Sequence, residues 1–244
     1  MTGYSFNQCF FLNKLTVDPA NPYFYSVNNF IFSKIDEKLV RTPIDFSLED
    51  IPNRFNIKIL GEIFMSGSSI KEFVGWKNLT TIEKNCFHAL PLLKRLDLSM
   101  TQVTVLPSNS IIGCSKLDEL KLPGNLTELM ENSISLAPLL KSFSIPMKVT
   151  YIKNNSFVDL KSLKIIAYFG ETSFENLSLF SNCPSIKIIR VTYLYPSNLF
   201  SRINVIRDAY EYGILELISI PSNIEKCYFN RFLLISVYSI FINV

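Results

Sequence analysis

Apolar residues return along this chain at a fixed spacing, and the spacing itself repeats. Anchors at Leu79, Val103, Leu126, Val149 and Phe174 stand 24, 23, 23 and 25 residues apart. After each of the first four, apolar or small residues follow at +3, +8, +11, +14, +17 and +19. One segment reads Leu79, Ile82, Phe87, Leu90, Leu93, Leu96, Leu98; another reads Leu126, Leu129, Ile134, Ala137, Leu140, Phe143, Ile145. A unit this short cannot bury its own apolar face. Neighbouring units must stack, and each slot becomes a continuous column of side chains. The pattern predicts a solenoid.

The last two slots lie two residues apart, the mark of a strand with alternating sides. Strands are expected at Arg95–Ser99, Glu119–Leu122, Ser142–Ile145, Ile165–Tyr168 and Ile188–Val191, stacked as one parallel sheet. From +8 to +14 the spacing is near three, which predicts a tight helical turn. Asn85, Asn109, Asn132, Asn154 and Asn155 precede that stretch, where a side-chain oxygen can cap free N–H groups. The expected fold class is an α/β repeat: a solenoid with a parallel β-sheet on its concave face, short helical turns or loops on the other side, and one inserted β-hairpin.

The insertion interrupts the period at residues 18–56. Asp18-Pro19-Ala20-Asn21-Pro22 is a turn-rich start. Two apolar runs, Asn29–Phe32 and Lys38–Arg41, flank the polar Ser33–Glu37 and predict a hairpin. The chain is thus expected to be a single solenoid over 1–244. Residues 1–17 form a partial repeat, 57–191 regular repeats, 192–214 an irregular stretch and 215–244 terminal partial repeats. Ile59, Phe64, Ile70 and Phe73 extend the slots backward, and Phe6, Cys9, Leu12 and Leu15 match the second half of a unit. Both ends fall within repeats and lack polar caps. End-to-end self-association through Phe6, Leu12, Leu233 and Phe241 is expected.

Composition narrows the function. Apolar residues make up 48% and charged residues 18%, enough apolar side chain to build a core. A net charge of +3, with no Lys/Arg block, argues against nucleic acid as partner. The start of the chain lacks a basic n-region and a long apolar h-region, so no secretory signal is read there. No stretch of 18 apolar residues exists to span a membrane. Of the five cysteines, Cys9, Cys114 and Cys183 share one small buried slot in non-adjacent repeats, which speaks against disulfides and metal binding.

Catalysis finds no foothold. His88 is the only histidine and lies beside the Phe87 slot, where a structural role is expected. No phosphate-binding glycine loop, metalloprotease motif or EF-hand loop occurs, and no cofactor is expected. Sequons at Asn78, Asn125, Asn154 and Asn176 are permissive only, because an Asn-, Ser- and Thr-rich chain produces them by chance.

The outward positions of the sheet remain as the candidate partner-binding surface. They are Arg95, Asp97, Glu119 and Lys121 in a charged half, and Ile165, Ala167, Phe169, Ile188 and Arg190 in a more apolar half. If the register holds, the second half carries a contiguous exposed apolar patch, a frequent mark of interaction sites. A slip of one residue would turn it inward.

The repeat grammar resembles that of the BspA-like leucine-rich repeats, with Leu117, Leu120, Leu122, Pro123, Leu126 and Leu129 in place. The insertion is similar to segments that interrupt many of these proteins: Asp18-Pro19-Ala20-Asn21-Pro22-Tyr23-Phe24, then Asn29-Phe30-Ile31-Phe32. The family's usual Cys is often Leu or Ala here. The resemblance implies a non-enzymatic interaction module of the surface-antigen type, known from oral bacteria and anaerobic protists. It implies adhesion at the cell surface to protein, or alternatively glycan or matrix. The alternatives are an intracellular, cytoplasmic scaffold and a fragment of a longer repeat protein.

Overall fold

The computed structural model describes residues 12–208. The terminal repeats expected at 215–244 and the first eleven residues, and with them Phe6, Leu233 and Phe241, lie outside the described residues, whereas Leu12 is partly buried against the cluster of Leu15, Ile31 and Val40.

The chain coils as a parallel β-solenoid, and each regular turn carries three short strands. One stack holds the long strands, in two hydrogen-bonded sheets rather than the single sheet expected: Glu72–Val74, Arg95–Asp97 and Glu119–Lys121 form one, and Ser142–Ile145, Ile165–Tyr168 and Ile188–Val191 belong to the other. A second, at +2 and +3, includes Thr81–Ile82, Val105–Leu106, Glu128–Leu129 and Tyr151–Ile152. The third, at +8 and +9, holds Phe87–His88, Ile111–Ile112, Ile134–Ser135, Phe157–Val158 and Phe180–Ser181. The slots of the sequence pattern point inward from all three sides. Leu79, Leu93, Leu96, Leu117, Leu126, Leu140, Phe157 and Leu163 are fully buried in one continuous core.

The third stack corrects the expectation of helical turns. Two residues in the left-handed region flank the first four +8/+9 strands: Asn85, Asn109, Asn132 and Asn155 before them, and Ala89, Gly113, Leu136 and Asp159 after them; Asn182 follows the fifth. Asn and Gly accept that conformation most readily. Each bends the chain sharply, so the segment is a short straight side between two corners. The asparagines are therefore corner residues rather than helix caps. The described residues contain only two short 3-10 turns, Leu48–Asp50 and Arg54–Asn56, both in the insertion's return path.

The insertion has one strand more than expected. β1 (Phe24–Val27) pairs antiparallel with β2 (Phe30–Ser33), and β2 with β3 (Lys38–Arg41). Asn28 and Asn29, with φ of 51° and 66°, make the two-residue turn between β1 and β2, which needs positive φ at both positions. β3 then runs parallel to Ile59–Leu60, itself parallel to Thr81–Ile82. Leu39, Leu60 and Ile82 thereby form one buried column. The slot belongs to Leu60, one residue beyond the expected Ile59, which is half-buried. The insertion is thus hydrogen-bonded onto the stack as its first side.

The poorly fitting stretch after Val191 hides another long strand. Leu199–Phe200 and Ile203–Arg207 form an antiparallel hairpin, and Ile203–Arg207 runs parallel to Ile188–Val191. Val205 stands beside Ile189 although the two are 16 residues apart, because the hairpin replaces the usual longer path. That shortening is why the period failed there.

Candidate partner-binding face

The long-strand stack has the register that the sequence indicated. Arg95 lies beside Glu119, Leu96 beside Leu120, and Asp97 beside Lys121; Glu72 lies on the other side of Arg95. Leu96 and Leu120 point into the core, so their strand neighbours lie on the opposite face, where Asp97, expected to be exposed, is buried among its charge partners. These outward residues form one charge network over three turns. The Arg95 guanidinium donates through Nε to Glu119 (3.1 Å) and through Nη2 to Asp97 (2.8 Å), and it also bonds Glu72. Lys121 Nζ bridges Asp97 (3.3 Å) and Glu119 (3.5 Å). Asp97 accepts further bonds from Ser99 N (3.0 Å) and Ser99 Oγ (2.6 Å). Its burial raises the carboxyl, but the Ser99 bonds and the Lys121 charge outweigh that and hold it below its ordinary value.

The apolar half is smaller than expected. Ile165 and Ile188 are adjacent and half-buried, as is Phe169. Ala167 is buried, with 2% of its surface exposed, between Ser144 and Arg190. The short alanine lies below the level of those longer neighbours. Arg190 pairs with Asp208 at 3.1 Å. Burial raises the Asp208 carboxyl, and Arg190 offsets this in part.

Two clefts that the sequence did not disclose run along the exit edge of this sheet. One, of about 770 Å³, is lined by Phe46, Phe55, Val74, Trp76 and Met100 among others. The other, of about 720 Å³, is lined by Met100, Lys121, Leu122, Met147 and Phe169 among others. Met100 belongs to both, so the clefts adjoin. Met100 and Met147 are 63% and 51% exposed, high values for unbranched apolar side chains. Methionine adapts to irregular partners and is over-used at binding surfaces. Both lie between the +19 slot and the next anchor, off the ladder, where the repeat pattern carries no expectation of exposure.

The remaining candidate chemistry is structural. His88 is half-buried with its Nδ1 at 3.2 Å from Ser66 Oγ, and burial lowers its pKa. Cys86, Cys114 and Cys183 are free and buried. Burial pushes the Cys114 thiol up to about 12. Among the described residues, no group of three or more His, Cys, Asp and Glu side chains could hold a metal ion. In the same range, no helix is long and apolar enough to cross a membrane. Of the sequon asparagines, Asn78 donates to Phe55 O, and Asn125 donates to Gln102 Oε1 while accepting from Lys148.

A solenoid of stacked leucine-rich units with this corner grammar defines the class, and sequence comparison gives the family. The chain matches the BspA type leucine-rich repeat region in 6 copies, over residues 1–99, 45–164 and 132–243, and it belongs to that family. No curated protein matches it. Among solved structures it is similar to the pneumococcal vaccine antigen PcpA, at 15% identity and a TM-score of 0.52, over 81% of this chain and 51% of that one. A leucine-rich cell surface protein of Faecalibacterium prausnitzii A2-165 matches at 19% identity and a TM-score of 0.49, over 77% of this chain and 44% of that one. The chain therefore spans about half the length of these two proteins.

Proposed function

We propose that this protein is a non-enzymatic adhesion module that binds a protein partner at a cell surface through its long-strand face. The observation that carries the reading is the exposed shelf of Met100 and Met147 beside the Arg95, Asp97, Glu119 and Lys121 network. An apolar strip edged by fixed charges is how a protein interface gains both affinity and orientation. Arg95 is tied into the network by three carboxylates and orients it, while Lys121 and Glu119 are open enough to contact a partner. Ile165, Phe169, Ile188 and Arg190 extend the surface, and Ala167 supports it from below. Family membership and the antigen-type relative support the surface location.

The test uses beads coated with the full chain on epithelial monolayers. Met100→Asp with Met147→Asp should abolish attachment. Leu136→Asp with Tyr151→Asp, at similarly exposed positions off this face, should leave it intact. Equal attachment by both pairs would refute the assignment of the face.

A further inference from the structure

A second surface lies at the entry edge of the same strands. The residue after the +14 slot is Lys71, Lys94, Asp118, Lys141, Lys164 and Lys187 in successive turns. Backbone bonds align them in two groups: Lys94 N donates to Lys71 O and Asp118 N to Lys94 O in the first, and Lys164 N to Lys141 O and Lys187 N to Lys164 O in the second. Stacked strands repeat at about 4.8 Å, so Lys141, Lys164 and Lys187 rise in steps of that size. All five lysines are exposed.

Elsewhere this solenoid pairs its charges from turn to turn. Lys58 meets Glu37, Lys84 meets Glu62, Lys153 meets Glu131, and Arg95 sits among three carboxylates. None of the five column lysines makes an ion pair among the described residues. Around the last three, residues 138–144, 161–167 and 184–190 contain no Asp or Glu. Like charges stacked in one column repel, and folding gains nothing from them. Lys161, bonded to Asp159 at 3.1 Å, adds a fourth ammonium near this segment.

We propose that Lys141, Lys164 and Lys187 bind a linear sulfated polysaccharide laid along the stack. A linear sulfated polysaccharide presents a run of fixed anions, and ammonium groups on flexible stems repeated at about 4.8 Å can engage several of them at once. Lysine suits this ligand: its ammonium is a point charge on a flexible stem and does not demand the planar, two-pronged acceptor that arginine reads. Binding of single-stranded nucleic acid would need rings for base stacking. The flanking positions Pro138, Leu139, Ser162, Pro184 and Ser185 supply none. The column is separate from the methionine shelf, so the two proposals stand or fall independently.

The experiment measures retention of the full chain on immobilised dextran sulfate, unsulfated dextran and a single-stranded oligonucleotide over a salt series. The wild type should bind dextran sulfate and not dextran. The triple variant Lys141→Gln, Lys164→Gln, Lys187→Gln should bind about tenfold or more weakly, with a log–log salt slope lowered by about 2, following the counterion-release argument. Lys34→Gln, Lys84→Gln, Lys153→Gln removes the same charge from exposed positions elsewhere and should stay within about twofold of wild type. Arginine at the three column positions should retain binding. Equal weakening by the two glutamine triples would reduce the effect to net charge and overturn the site. Tighter binding to the oligonucleotide than to dextran sulfate, or no retention of the wild type on dextran sulfate, would overturn the ligand class.

Discussion

Leu139 and Leu140 are consecutive, identical in chemistry and opposite in environment. Leu140 fills the +14 slot and is fully buried, whereas Leu139 is 48% exposed. Truncating Leu140 to alanine removes three carbons from the core. At about 0.8 kcal/mol per buried carbon group, the transfer cost alone is about 2.4 kcal/mol. The cavity adds to this, because columns from the turns above and below hold the site open, and the total falls at about 3–5 kcal/mol. The same truncation at Leu139 forfeits roughly half of the transfer term and leaves no cavity, for about 1 kcal/mol. Urea unfolding followed by circular dichroism gives both values, and the fluorescence of Trp76, buried and bonded to Ile57 O, reports the early turns separately. Coincidence of the two signals is needed, because stacked repeats can unfold piecewise. Equal losses at Leu139 and Leu140, or a larger loss at Leu139, would refute the register and every outward position derived from it.

Three further outcomes follow from the same geometry. Asn132→Ala, with φ of 54°, should cost about 1 kcal/mol in thermal or urea unfolding, whereas Asn132→Gly should be nearly neutral; equal effects would deny the left-handed corner. Asp97 has its pKa lowered in the folded state, so its contribution to stability is present above the unfolded carboxylate value and lost as pH falls through the lower folded value. Asp97→Asn should therefore flatten the stability–pH curve below about pH 4, and an unchanged acid limb would contradict the network. Cys86, Cys114 and Cys183 should resist alkylation at pH 8 until urea unfolds the chain, read site by site by mass spectrometry; fast labelling of Cys114 in the native state would contradict its burial.

The apolar ladder was legible because stacking makes every slot a column, and a column must be apolar in each turn. Leu96, Leu120, Phe143, Ile166 and Ile189 could therefore be aligned from spacing alone, and the outward register followed. The corners were less legible. Spacing near three looks helical, and only the regular asparagines at +6 hint at left-handed backbone, a state that side-chain periodicity does not report. The strand β1 was missed because Phe24, Tyr25, Ser26 and Val27 follow a proline-rich turn and their alternation is short. Ile203–Arg207 was missed because its approach is a hairpin of non-standard length. At the candidate face, the charge network was visible as strand neighbours of opposite sign. The methionine shelf was not, because Met100 and Met147 lie off the ladder and their exposure depends on the turn that follows each strand.

An adhesion role requires the chain at the cell surface, and protease shaving of intact producing cells reports whether it is there. An antibody to the chain should show its band lost after brief protease treatment of intact cells, while a cytoplasmic marker protein survives. A band that persists in intact cells and disappears only after lysis would contradict the adhesion role and leave an intracellular scaffold in its place.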